Sequence, residues 1–174
     1  MIRPRLVALT LIVLAAAATR LLPHPPNMTS IAAVALFGGA HFADRRLAFA
    51  IPLAAMLLSD LVIGFSSTLP VVYASIALIV GVGLFLRERR QPPLIIGAAL
   101  VSSILFFVLT NFGVWAMSGM YPKTLAGLEA CYAAALPFFR NSVTGDLIYT
   151  ALMFGGFALL ERRFPVLELE PQTA

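Results

Sequence analysis

Asn111 and Trp115 stand at i and i+4, so a helix holding them presents both on one face. An amide that donates and accepts, beside a flat indole, suits a ring-containing solute. The pair opens a stretch, Thr110 to Ser142, that holds the only Trp, Lys and Cys of the chain. Tyr121 begins a Tyr-Pro-Lys-Thr turn in it, and Arg140-Asn141 closes it with groups able to meet an anionic or amide partner. Two further places carry polar chemistry. Asp60 follows Ser59 inside an apolar run, where an ionisable group is costly and marks a functional site by default. Asn27 and His24 sit in a proline-rich segment, Pro23 to Thr29. Each of these has a plainer use. Trp anchors spans at membrane surfaces, Asn bonds between helices in lipid, and Asp60 can pair with Arg20 or Arg140.

No catalytic constellation is visible. The chain lacks a Gly-x-Ser-x-Gly elbow, a His-Glu-x-x-His helix and a phosphate-cradling loop. Asp60, Asp146, Tyr121 and His24 can supply acid and base groups, but no two have a recognised catalytic spacing. We therefore expect no enzyme and no catalytic residue. One cysteine, Cys131, excludes an internal disulfide, and no metal-ligand spacing occurs. Neither a cofactor nor a metal is expected. Cys131 among alanines reads as a small packed residue.

The elements that must position these groups are apolar. Hydrophobic residues make up 60% of the 174, charged ones only 11%, and mean hydropathy is +0.94. Soluble domains carry about 25% charged residues, so lipid is the solvent for most of this chain. The net charge of +4 is no nucleic-acid signal. Its arginines sit at the ends of apolar runs, as flanks of membrane spans do. We read 1–174 as one integral membrane domain, with a polar, frayed tail over 164–174. Six runs follow one another: Leu6 to Leu22, Ile31 to Phe42, Leu47 to Phe65, Val71 to Leu86, Leu94 to Trp115 and Val143 to Leu160. The first is either a retained span or a signal peptide ending near Ala15-Ala16-Ala17-Ala18. As a retained span, its four alanines offer a surface for close helix contact with a partner.

Nine Lys and Arg flank one side of these runs and three the other: Arg3, Arg5, Arg45, Arg46, Arg87, Arg89, Arg90, Arg162 and Arg163 against Arg20, Lys123 and Arg140. The positive-inside rule puts the side with nine in the cytoplasm. The expected fold is thus all-α, a polytopic membrane helix bundle of six spans with both termini inside, in the cell inner membrane. Both polar segments, Pro23 to Thr29 and the one after Trp115, then share the outer face. Between the last two runs, Thr124 to Leu136 has helical spacing, Thr124 as cap and Pro137 as stop. Thirteen residues reach only roughly 20 Å, so a short interfacial helix or lid is expected there.

Several blocks carry a resemblance: Pro25-Pro26-Asn27-Met28-Thr29 leading into Ala32 to Gly39, Ser59 to Gly64, Asn111-Phe112-Gly113-Val114-Trp115, Tyr121-Pro122-Lys123-Thr124, and Leu136 to Phe139. Together they resemble an uncharacterised family of small bacterial membrane proteins, over nearly the whole chain. More distantly, size, topology and loop placement resemble the substrate-binding S components of energy-coupling factor (ECF) transporters. That likeness implies a vitamin- or metal-capturing subunit with its pocket on the outer side. It also implies docking on ECF-type transmembrane and ATPase subunits through small residues of the first helix, here Ala15, Ala16, Ala17 and Ala18. The leading expectation is capture of a small organic micronutrient by Asn27, Asp60, Asn111, Trp115, Tyr121 and Arg140. The alternatives are a structural or assembly protein that binds a protein partner, and an intramembrane enzyme acting on a lipid.

Overall fold

The computed structural model describes residues 4–168, and all regular structure among them is helical. The helices are α1 (Pro4–Ala18), α2 (Ile31–His41), α3 (Arg45–Ile63), α4 (Leu69–Phe85), α5 (Pro92–Met117), α6 (Leu125–Thr150) and α7 (Gly156–Arg163). A π-helical turn, Ala151–Gly155, joins α6 to α7, so Leu125–Arg163 forms one 39-residue rod. Four helices are long and apolar enough to cross a membrane: Pro4–Leu21, Arg45–Ile63, Pro92–Met117 and Leu125–Arg163. This is the build of a membrane protein. The other two apolar helices, α2 and α4, are shorter, at 11 and 17 residues.

Two sequence expectations need correction. The segment Thr124 to Leu136 is no separate interfacial helix. Thr124 caps it as expected, accepting from the Gly127 amide at 3.2 Å, but Pro137 lies inside α6 and does not end it. Ending a helix in lipid would strand backbone groups with no water to meet them. One lost bond at an exposed proline costs less. The tail from Phe164 is also not frayed at its start. A 3-10 turn, Pro165–Leu167, packs back so that the Arg5 guanidinium donates to the Leu167 carbonyl. The rest of that tail, and Arg3, lie outside the described residues.

The bundle is built around α2. Its sequence, IAAVALFGGAH, is apolar on every side, and all 11 residues are buried. At 1.5 Å per residue it is about 16 Å long, roughly half of the ~30 Å hydrocarbon core. The second apolar run is therefore a short central helix wrapped by the others. Its glycines make that possible. A side chain at Gly38 would meet the Pro52 ring at 2.5 Å, and one at Gly39 would overlap the Val80 carbonyl oxygen of α4. Pro52 of α3 thus serves as packing surface against α2.

Helix direction alternates along the chain, which sorts the polar groups into two ends. At the first, Arg87 straps the end of α2, donating to the carbonyls of Gly39 (3.1 Å), Phe42 (2.7 Å) and Ala43 (3.1 Å). Arg5 bonds Glu161 at 2.5 Å and lies 5.0 Å over the Phe157 ring at this same end. His41 is buried, stacked 4.2 Å from Phe37 and edged by Phe154 and Phe157. Arg20, Asp60, Tyr73 and Trp115 lie at the opposite end.

Candidate functional site

At the end opposite the arginines, three polar clusters form. The first joins α1, α3 and α4. Arg20 lies in a 3-10 turn, Thr19–Leu21, that continues α1. Its guanidinium meets the Asp60 carboxylate at 2.8 Å and also donates to the Ser59 hydroxyl. Tyr73 donates to the other Asp60 oxygen at 2.8 Å. The Asp60 side chain is 3% exposed and that of Arg20 11%. Asp60 is therefore satisfied from two sides within the protein, as its plainer reading required. Tyr73 was missed by sequence reasoning; nothing polar neighbours it except Ser75. The one available signal is that it falls in the first turns of α4, at the same end as Asp60.

Removing the Tyr73 hydroxyl isolates its contribution. We expect Tyr73→Phe to lower stability in detergent by about 1.5 kcal/mol, the lower end for a bond to a charged group, because Asp60 keeps Arg20. A change below about 0.5 kcal/mol in thermal unfolding would mean that Tyr73 does not hold Asp60.

The second cluster lies where α5 and α6 pair. Trp115 donates through its indole nitrogen to the Pro122 carbonyl at 3.0 Å, and Lys123 sits 5.6 Å over the indole ring while donating to the Trp115 carbonyl. Gly127 packs so tightly against the same Pro122 carbonyl that any larger residue would overlap it. Asn111 turns its amide nitrogen to the Phe107 carbonyl at 2.8 Å. Cys131 is buried, with its thiol 3.4 Å from the Asn111 carbonyl, as a small packed residue should be. Tyr121, half-buried, begins the turn between the two helices.

The third cluster is the proline-rich segment. Asn27 is exposed and adopts φ 61°, the left-handed region that Asn tolerates better than most residues. Asn141 donates to the Pro26 carbonyl at 3.1 Å, and Met28 and Thr29 pack on Gly145. Arg140, one residue before Asn141, is exposed. Ser30 is fully buried and gives its hydroxyl to the Ala16 carbonyl at 2.7 Å instead of capping α2. His24 is exposed, as expected of a solvated loop residue.

The six predicted binding residues thus share one end. A cleft of about 740 Å³ lies at the arginine-rich end, and an apolar groove of about 430 Å³ lies between α4 and α5. Neither is lined by any of the six. The docking expectation for Ala15, Ala16, Ala17 and Ala18 is corrected in part. Ala16 and Ala17 are buried in the protein's own core, and only Ala15 and Ala18 are exposed. Four consecutive residues at 100° intervals cannot share one face of a helix. No group of three or more His, Cys, Asp and Glu among the described residues could hold a metal ion.

An all-α bundle with four membrane-length helices, a fully buried half-length helix and polar latches at one end defines the class: a polytopic membrane protein. Residues 1–167 match the model of a family of unknown function (DUF6580), and the chain belongs to that family. No curated protein and no solved structure matches it.

Proposed function

We propose that the protein is a membrane-embedded capture subunit for a small organic solute. The observation that carries this reading is α2: half the length of a span, wholly buried, and entered through an irregular proline-rich segment. Irregular backbone at membrane depth is tolerated where it is enclosed by protein or lines a cavity. Broken and half-length helices are how solute carriers build sites inside a bilayer. The arginine asymmetry orients the bundle with its arginine-rich end in the cytoplasm. With α4 and the half-length α2 plus its proline-rich entry segment counted, the chain then crosses six times in the inner membrane, both termini inside, and captures from the outer side.

In this reading the structure is the closed form. Its outer polar groups are latched to one another: Arg20 to Asp60, Trp115 to Pro122, Asn141 to Pro26. Displacing the 23–29 segment frees Asn27 and the neighbourhood of Arg140. Asn111, Trp115 and Tyr121 supply the amide, indole and phenol that a ring-bearing micronutrient would meet. No nucleotide-binding motif is present, so ECF-type transmembrane and ATPase subunits supply the energy. Ala15 and Ala18 are the alanines left for their docking.

The test is a thermal-shift screen of detergent-purified protein against vitamins, their precursors and metal complexes. A true ligand at a hundred times its Kd stabilises by about 2.7 kcal/mol. We expect one compound class to do so for the parent and not for Asn111→Ala combined with Arg140→Gln. That double variant loses one bond within its own helix and one exposed charge, so it folds. If no compound shifts the parent, solute capture is wrong. The exposed apolar residues of the α5–α6 hairpin, Met120 (73%) and Leu125 (71%) among them, would then favour the protein-partner reading.

A further inference from the structure

The cleft of about 740 Å³ is unrelated to the solute-capture reading, since it lies at the opposite end of the bundle. It is formed where α4 ends, α5 begins and α3 begins. Two chemistries meet in its wall. Phe85 and Leu94 line one part and are 83% and 45% exposed. Arg45, Arg87, Glu88 and Arg89 line the other, three cations against one carboxylate.

These cations are not neutralised by a contacting carboxylate: among the described residues, none lies within 4.0 Å of Arg45 or Arg89. Arg87 is held by the carbonyls of Gly39, Phe42 and Ala43 at the end of α2, which take one bond from each of its three nitrogens and leave its charge in place. Burial, and then repulsion from the Arg45 charge, pull Arg87 below the ordinary arginine range. Arg45 also occupies the first turn of α3, where the helix dipole disfavours a cation. An anion seated among these groups relieves both repulsions.

We infer that this cleft binds an anionic phospholipid, with the headgroup phosphate on Arg45 and Arg89 and the first acyl carbons on Phe85 and Leu94. Volume, charge and wall agree with that occupant. The volume lies within the roughly 300–1,000 Å³ of small-molecule sites. A basic pocket between helix ends at a membrane surface selects anionic over zwitterionic headgroups. A free phosphate would use the arginines but leave Phe85 and Leu94 in water, whereas an acyl chain covers them. An acidic amphipathic peptide shares some of this chemistry, but lipid surrounds the site at all times and needs no recruitment.

The test follows the melting temperature of the purified protein in a mild non-ionic detergent. Phosphatidylglycerol, phosphatidylcholine or inorganic phosphate is added to the parent, to Arg45→Gln/Arg89→Gln and to Leu94→Glu. Both arginines are exposed and make no ion pair among the described residues, so the double variant folds. We expect phosphatidylglycerol to raise the melting temperature of the parent, with the other two additives inert. The midpoint of that response should move to about thirtyfold higher lipid in the double arginine variant, and the response should vanish in Leu94→Glu. An equal response to phosphatidylcholine, or an unchanged midpoint in the double variant, overturns the inference. So does an equal shift with inorganic phosphate, which would make this a free-anion site.

Discussion

Replacing Arg20 by methionine lowers the stability of the folded protein by about 3–5 kcal/mol. The cost does not come from the lost attraction alone. Asp60 has a side chain only 3% exposed, and its carboxylate bonds Arg20 at 2.8 Å and Tyr73 at 2.8 Å. Without Arg20, a buried charge keeps one phenol and no counter-ion. Methionine keeps an apolar side chain of similar reach while removing the guanidinium, and with it the contact to the Met56 sulfur. The second arm of the experiment separates the pair's net worth from the cost of breaking it. Replacing a buried ion pair by apolar residues of like volume is often neutral or stabilising. The double variant Arg20→Met/Asp60→Leu should therefore recover most of the loss. Thermal unfolding of the four proteins in one detergent closes the double-mutant cycle. If Arg20→Met lies within 1 kcal/mol of the parent, the pair does not fasten α1 to α3.

This cluster also shows what sequence reasoning reached and where it stopped. Arg20 and Asp60 end the first and third apolar runs, so alternation alone places them at one end, and pairing was among the readings open to Asp60. Tyr73 became visible only when α4 lay beside α3, because its hydroxyl reaches Asp60 across 13 residues of chain. The nature of α2 was hidden for a different reason. A helix apolar on all sides satisfies lipid and protein interior alike, so composition could not say that all 11 of its residues are enclosed. Its length was the one clue. Pro137 misled because helix-stop rules come from proteins in water, where a freed carbonyl finds a solvent partner. The predicted binding residues lie at one end, yet Asn111 and Trp115 are tied to carbonyls of Phe107 and Pro122. A side chain's partners depend on local backbone paths that spacing does not encode.

Gly39→Ala should destabilise the protein by about 3 kcal/mol or more, at or beyond the upper end for overpacking. A Cβ there overlaps the Val80 carbonyl oxygen and comes within 2.8 Å of the Gly83 Cα. The contact is reciprocal. A Cβ on Gly83 overlaps the Leu36 carbonyl oxygen and lies 2.9 Å from the Gly39 Cα. These neighbours are backbone atoms, so no side chain can swing aside, and α2 and α4 must part. Small residues let helix backbones approach this closely in lipid, where packing replaces the hydrophobic drive between helices. Parting them moves α2, which is enclosed on every side, and so loosens its packing on α3 and α6 as well. Gly81→Ala is the matched control. It sits in α4, two residues from Gly83, a Cβ there meets nothing within 4 Å, and the change should stabilise by about 0.5–1 kcal/mol through helix propensity. Melting temperatures of the two variants should therefore move in opposite directions. If they move together, the close crossing of α2 on α4 is not what holds the short helix in the centre of the bundle.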